Sequence, residues 1–174
     1  QGIIIDLTNI DGQDDGFYQA AMRTIKRRVE SLYETGMEVD KTRHISLFAL
    51  APIPLLVFLG SQLSNKVAVE SYQRHRDTED WVWKIDGEPI EYIFLKRQSG
   101  TDSSSVALIL SLSGTIQISE LPAEIDQRFS IYEISLARAT PRPSFLRTHE
   151  DLLRFKDIYE EARSSIRRDH GGLV

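Results

Sequence analysis

Apolar and polar positions fall into blocks whose spacing names the elements. The run GIIIDLT, residues 2–8, is a continuous stretch of branched apolar side chains that predicts a buried strand, closed by the turn-forming NIDGQDDG. Apolar residues then recur every three or four positions at Phe17, Ala21, Ile25, Val29 and Leu32, predicting an amphipathic helix that Gly36 stops. RHISLFAL predicts a strand. PIPLLVFLGSQLSN predicts a helix, with Pro54 in the first turn where its missing donor is harmless. That helix is apolar on every side, so it is expected to be covered on every side. KVAVESYQ reads as a further strand, and DWVWK and EYIFLKR as two strands of a hairpin turning at Asp86-Gly87.

A second cycle begins after the turn-rich QSGTDSS. The strand Val106 to Leu112 runs into Ser113-Gly114-Thr115, FSIYEISLAR is another strand, and a helix starts at Thr148. Asp151 completes its capping box, Leu152, Phe155, Tyr159, Ala162 and Ile166 share one face, and Gly171-Gly172 end it. Strand and helix thus alternate in two halves, residues 1–98 and 105–174. The expected fold class is α/β with mainly parallel sheets, whose ligands bind outside the carboxyl ends of the strands.

At 174 residues, 41% apolar and 27% charged, the composition is that of a globular chain. It holds no cysteine, which excludes disulfides, a thiolate nucleophile and a Cys-ligated zinc, and fits a reducing compartment. The histidines at 44, 75, 149 and 170 lack metal-ligand spacing, so neither a metal nor a cofactor is expected. The longest apolar run is short of a membrane span and is broken by Pro52 and Pro54. A net charge of −5 argues against duplex binding through a basic face but leaves room for a small anionic ligand. The chain opens on Gln1 rather than Met, so further domains are expected beside it.

Several clusters bear on chemistry, each with a plainer reading. LSLSGTI offers backbone amides at Gly114 and hydroxyls at Ser111, Ser113 and Thr115 to a phosphate or ribose, or is a simple turn after a strand. In YQRHRDTEDWVWK, Arg74 and Arg76 suit phosphate and Tyr72 or Trp81 suit a base. Equally, Asp77, Glu79 and Asp80 could pair with those arginines on a solvated hairpin. From Ile134 to His149 the arginines 138, 142 and 147 stand without a carboxylate, either a positive patch or solvated loop residues. IDGQDDG reads as a capped turn rather than a magnesium site, and His44 has no Ser or Asp placed for a triad.

The block RHISLFALAPIPLLVFLGSQLSNKVAVESYQRHRDTEDWVWK resembles the SAVED family, with its strand of the HLF-A-x-P type, its apolar helix ending in LG and its strand ending in a tyrosine. SSSVALILSLSGTI and the segment from FSIYEISLAR to RRDHGG resemble the other half of that family. The YQRHRDTEDW segment looks closest to the SAVED half of HNH-type nuclease effectors in bacterial cyclic-oligonucleotide (CBASS) antiphage systems.

The resemblance implies two fused CARF-like, Rossmann-like units, 1–98 and 105–174, the second stopping short at Val174 of the strand and helix that the family continues into. It implies a cytoplasmic bacterial sensor, not an enzyme, that binds a cyclic di- or trinucleotide, forms a homo-oligomer on binding and switches on a fused effector outside this chain. Thr8, Asn9, Pro52, Tyr72, Arg74, Trp81, Ser111, Ser113, Gly114, Thr115 and Arg138 are the expected ligand contacts, with Arg74, Trp81 and Tyr72 converging on one cavity and the ends of strands 2–8 and 106–112 bordering a shared crevice. The alternatives are a ring nuclease or another Rossmann-like nucleotide-processing enzyme, and a module that only mediates oligomerisation.

Overall fold

A computed structural model describes residues 2–10, 14–34, 44–63 and 67–171. The expected turn at Asp11-Gly12 and the stops at Gly36 and Gly172 lie outside them. The chain divides into two compact units, Gln1–Arg74 with Thr78–Val82 and His75–Asp77 with Trp83–Val174.

In the first unit, helix α1 (Asp15–Glu34) precedes strand β1 (His44–Phe48), helix α2 (Ile53–Gln62) and strand β2 (Ala68–Tyr72). β1 and β2 run parallel in register from His44 opposite Ala68 to Phe48 opposite Tyr72, the pairing that a helical crossover permits. The periodicity of α1 is borne out: Ala21, Ile25 and Val29 are buried against Leu55 and Leu59 of α2. α2 starts at Pro52 without a side-chain cap, and the Leu55 and Leu56 amides both donate to the Pro52 carbonyl.

Two expectations fail here. α2 is covered on one face only: Ile53 and Val57 are 73% and 68% exposed, because within this unit the helix has α1 on one flank and nothing described on the other. Residues 2–7 are not a buried strand. They carry no ladder hydrogen bonds and Ile4 is 81% exposed, while Ile5 and Leu7 pack on the α1–α2 cluster instead. Branched side chains favour a strand, but propensity alone forms no ladder, and a cavity separates this segment from β1.

The second unit holds strands β3 (Tyr92–Gln98), β4 (Val106–Ser111) and β5 (Ser130–Leu136) and helix α3 (His149–His170). Their order is β3-β5-β4, with β4 parallel and β3 antiparallel to β5. The sheet is therefore mixed rather than mainly parallel. Tyr92–Gln98, read from the sequence into the first half, is one of its strands. β5 is central and buried along nearly its whole length, including Glu133, whose carboxylate pairs with Arg97. No α-helix follows β4; a single 3-10 turn at Ile118–Glu120 stands in the crossover, where Pro122 and the turns up to Phe129 leave no room for a longer helix. The hairpin at Asp86-Gly87 is absent as well. The Lys84 amide donates to the Arg147 carbonyl and the Ile90 amide to the Asp151 carboxylate, so the segment is tied to the start of α3 rather than to itself.

α3 is bounded as its sequence requires. The Thr148 hydroxyl accepts from the Asp151 amide at 3.1 Å, and Gly171 closes the helix at φ 70°, a conformation glycine adopts without strain. Ala162 and Ile166 are buried, and Phe155 meets Tyr92 edge-on at 5.6 Å. At the far end, Tyr132 donates to Asp169 and lies 3.0 Å from His170 Nε2, while His170 Nδ1 lies 2.7 Å from the Ser103 carbonyl.

Candidate functional site

Each unit contains one parallel strand pair, and the carboxyl ends of both pairs carry residues singled out from the sequence. In the first unit β1 and β2 end together. Phe48 and Tyr72 are register partners, so their rings leave the sheet on one face, separated by close to the strand spacing of about 4.8 Å. They stack at 4.6 Å and 14°, and Trp81 closes on Phe48 edge-on at 5.5 Å. Phe48 is 53% exposed and Leu50 is 72% exposed, so this is an open aromatic shelf. Arg74 follows Tyr72 by two residues and makes no hydrogen bond or ion pair among the described residues. Pro52 begins α2 just beyond the shelf.

Thr8 and Asn9 form an exposed turn. The Thr8 amide and hydroxyl donate to Asp6 at 2.9 and 2.6 Å, and these bonds, the hydroxyl's first, hold the Asp6 carboxyl below its ordinary range. The unit also contains a cavity of about 620 Å³ walled by residues 2–5, Leu7, β1 with Phe48, and the helical core. Tyr72, Arg74 and Trp81 are not on its wall. Of the shelf's three rings only Phe48 lines it.

In the second unit β4 and β5 end at Ser111 and Leu136. Ser111 is buried and its hydroxyl accepts from the Ile116 amide at 3.2 Å, which fixes the loop and leaves Ser113, Gly114 and Thr115 exposed. The Arg142 amide donates to the Leu112 carbonyl, joining this loop to the one after β5. The three arginines flagged in the sequence do gather: Arg138, Arg142 and Arg147 wall one cavity of about 390 Å³ together with Glu88, Glu91, Phe145 and Asp151. Arg138 pairs with Glu91 at 3.1 Å and Arg147 with Asp77 at 2.7 Å, a bond that raises the Arg147 pKa. Arg147 thus has an acidic partner within its own chain. Asp151 is satisfied by Ile90 and Thr148, and Arg142 has no ion pair among the described residues.

Phe48 and Arg142 were not among the expected contacts. Phe48 could have been found by laying ISLF against VESY as parallel partners, whereas Arg142 gains meaning only from the fold around it.

Each unit is thus a small α/β module with a parallel strand pair and exposed residues at or just beyond its carboxyl end. The SAVED family, described as the SMODS-associated and fused to various effectors sensor domain, matches residues 25–173, and this chain belongs to it. SAVED domains are sensors of cyclic oligonucleotides found fused to effectors. No curated protein matches the chain. No helix among the described residues is long and apolar enough to cross a membrane.

Proposed function

We propose that this chain senses a cyclic dinucleotide at the carboxyl ends of its parallel strands and thereby switches an attached effector, an HNH-type DNA endonuclease, in cytoplasmic antiphage defence in bacteria. The observation that carries the reading is the Phe48–Tyr72 stack at a strand end, with Phe48 exposed and Tyr72 half-buried behind it. Such rings hold bases at about 1–3 kcal/mol each. Arg74, two residues beyond Tyr72 of the shelf, supplies a charge-assisted donor for a phosphodiester, and within the second unit Arg138, Arg142 and Ser113 to Thr115 are candidate donors of their own. Pro52 follows Phe48 of the shelf at the start of α2, and Thr8 and Asn9 are proposed as further ligand contacts. Binding is proposed to favour a homo-oligomer that brings effectors together.

Calorimetry against a panel of cyclic di- and trinucleotides, with chromatography of the recovered ligand, tests this. Intact ligand and saturable binding are expected; linear product would make the chain an enzyme. Phe48→Ala should weaken the tightest ligand about tenfold or more, corresponding to the stacking range above. Because Phe48 is half exposed, its thermal midpoint should hardly move. A midpoint that falls while affinity stays the same would assign the stack to stability alone.

A further inference from the structure

Residues 2–7 lie free of any ladder, yet their placement is that of a strand. Ile5 and Leu7 pack on the helical cluster, and Ile4 and Asp6 are exposed, the two-residue alternation of a strand already facing a core. The segment leads through α1 into β1 as β1 leads through α2 into β2. Right-handed crossovers taken in one direction put both helices on one face of a sheet, and α1 and α2 do pack on each other. The strand order that follows is 2–7, β1, β2. The position it requires is the edge of β1 away from β2, which pairs with no strand among the described residues. Between the segment and β1 stands the apolar cavity of about 620 Å³, walled by Gly2 to Ile5 and Leu7, by all of β1, and by Ile25, Val29, Leu55 and Leu59.

We infer that residues 3–7 close onto this edge as a third parallel strand when ligand occupies the shelf, filling the cavity and carrying Thr8 and Asn9 to the end of β1 beside Ala49 and Leu50. The inference rests on the reading of the shelf as a cyclic-oligonucleotide site. It makes the site bistable: in the open form the Thr8 hydroxyl and amide are held by Asp6, and closure adds them to the ligand's surroundings. A ligand that contacts the closed form alone shifts the equilibrium by that difference in affinity.

Hydrogen exchange on the whole chain, with and without a saturating cyclic dinucleotide chosen from the panel, is the test. Closure predicts that amides within residues 4–7 slow by about tenfold or more on binding, as ladder amides do. A ligand that binds and protects only the segment 72–81 would overturn closure while leaving the site intact. A panel in which nothing binds would overturn the site and closure with it. Proline supplies a second readout, because alternate amides of a strand point to opposite edges and proline removes one. Of Ile4→Pro and Ile5→Pro, one should lose affinity at least about fivefold and the other should not. Because Ile5 packs on the helical cluster and Ile4 does not, each proline variant is read against its own alanine variant, and equal excess losses in both would overturn the proposal.

Discussion

Two glycines show how one methyl group separates fold from site. A Cβ on Gly100 would stand 2.1 Å from the Arg128 carbonyl oxygen and 2.3 Å from the Phe129 carbonyl carbon, both backbone atoms at the entry to β5. Its amide also donates to the Ser130 hydroxyl at 3.0 Å. Gly100→Ala should cost at least about 1–3 kcal/mol in urea unfolding, because central strand backbone must move to admit it. Gly114 meets nothing within 4 Å, so Gly114→Ala should stay within about 0.5 kcal/mol of the parent. A lowered affinity in that variant would then report contact at the loop rather than damage to the fold. The reverse order of stabilities would show that the β5 entry yields more easily than its packing indicates.

At the scale of elements, the sheet of the second unit is tied to α3 by two phenols. Tyr92 donates to the Asp151 carbonyl, and burial, then the Asp151 charge, pushes its pKa from 10.0 up to about 12. Burial, then the hydrogen bond to Asp169, does the same for Tyr132. The unfolded chain releases these protons near pH 10 and the folded unit keeps them to about 12. Their contribution is therefore complete below pH 10 and is lost as pH rises through 12. Denaturation measured at a series of alkaline pH values should show that fall, and Tyr92→Phe with Tyr132→Phe should flatten it. An undiminished slope in the double variant would assign it to other groups.

The elements also show what the sequence makes legible. α1 and α3 were readable because a helix that buries one stripe writes its period and caps into neighbouring residues, as Ala21, Ile25 and Val29 and the Thr148–Asp151 pair do. β4 and β5 were readable as apolar runs, but their direction was not. Antiparallel β3 is chosen by partners far along the chain, Tyr92 opposite Leu136 among them. DWVWK misled because Trp83 packs on His75 and His149 in irregular backbone, which leaves an apolar trace like that of a strand. In the site, Tyr72, Trp81 and the arginines stood out by residue type. Phe48 did not, since what gives it meaning is the register partner across the sheet.

For the molecule as a whole, a net charge of −5 opposes assembly, so association needs local complementarity or a ligand that contributes to the contact. Light scattering with and without a saturating cyclic dinucleotide should show the mass rise on binding. A constant mass would remove assembly from the proposed mechanism and leave binding untouched.

The register of β1 against β2 also decides which changes of length the lineage of this chain can accept. Insertions between elements leave Phe48 opposite Tyr72, but loss of one residue inside His44–Phe48 turns the following side chains to the other face of the sheet. Drift in length is therefore tolerable between elements but not within the five positions of β1 or the five of β2, where a single lost codon would dismantle the shelf even while both of its stacked rings are still encoded.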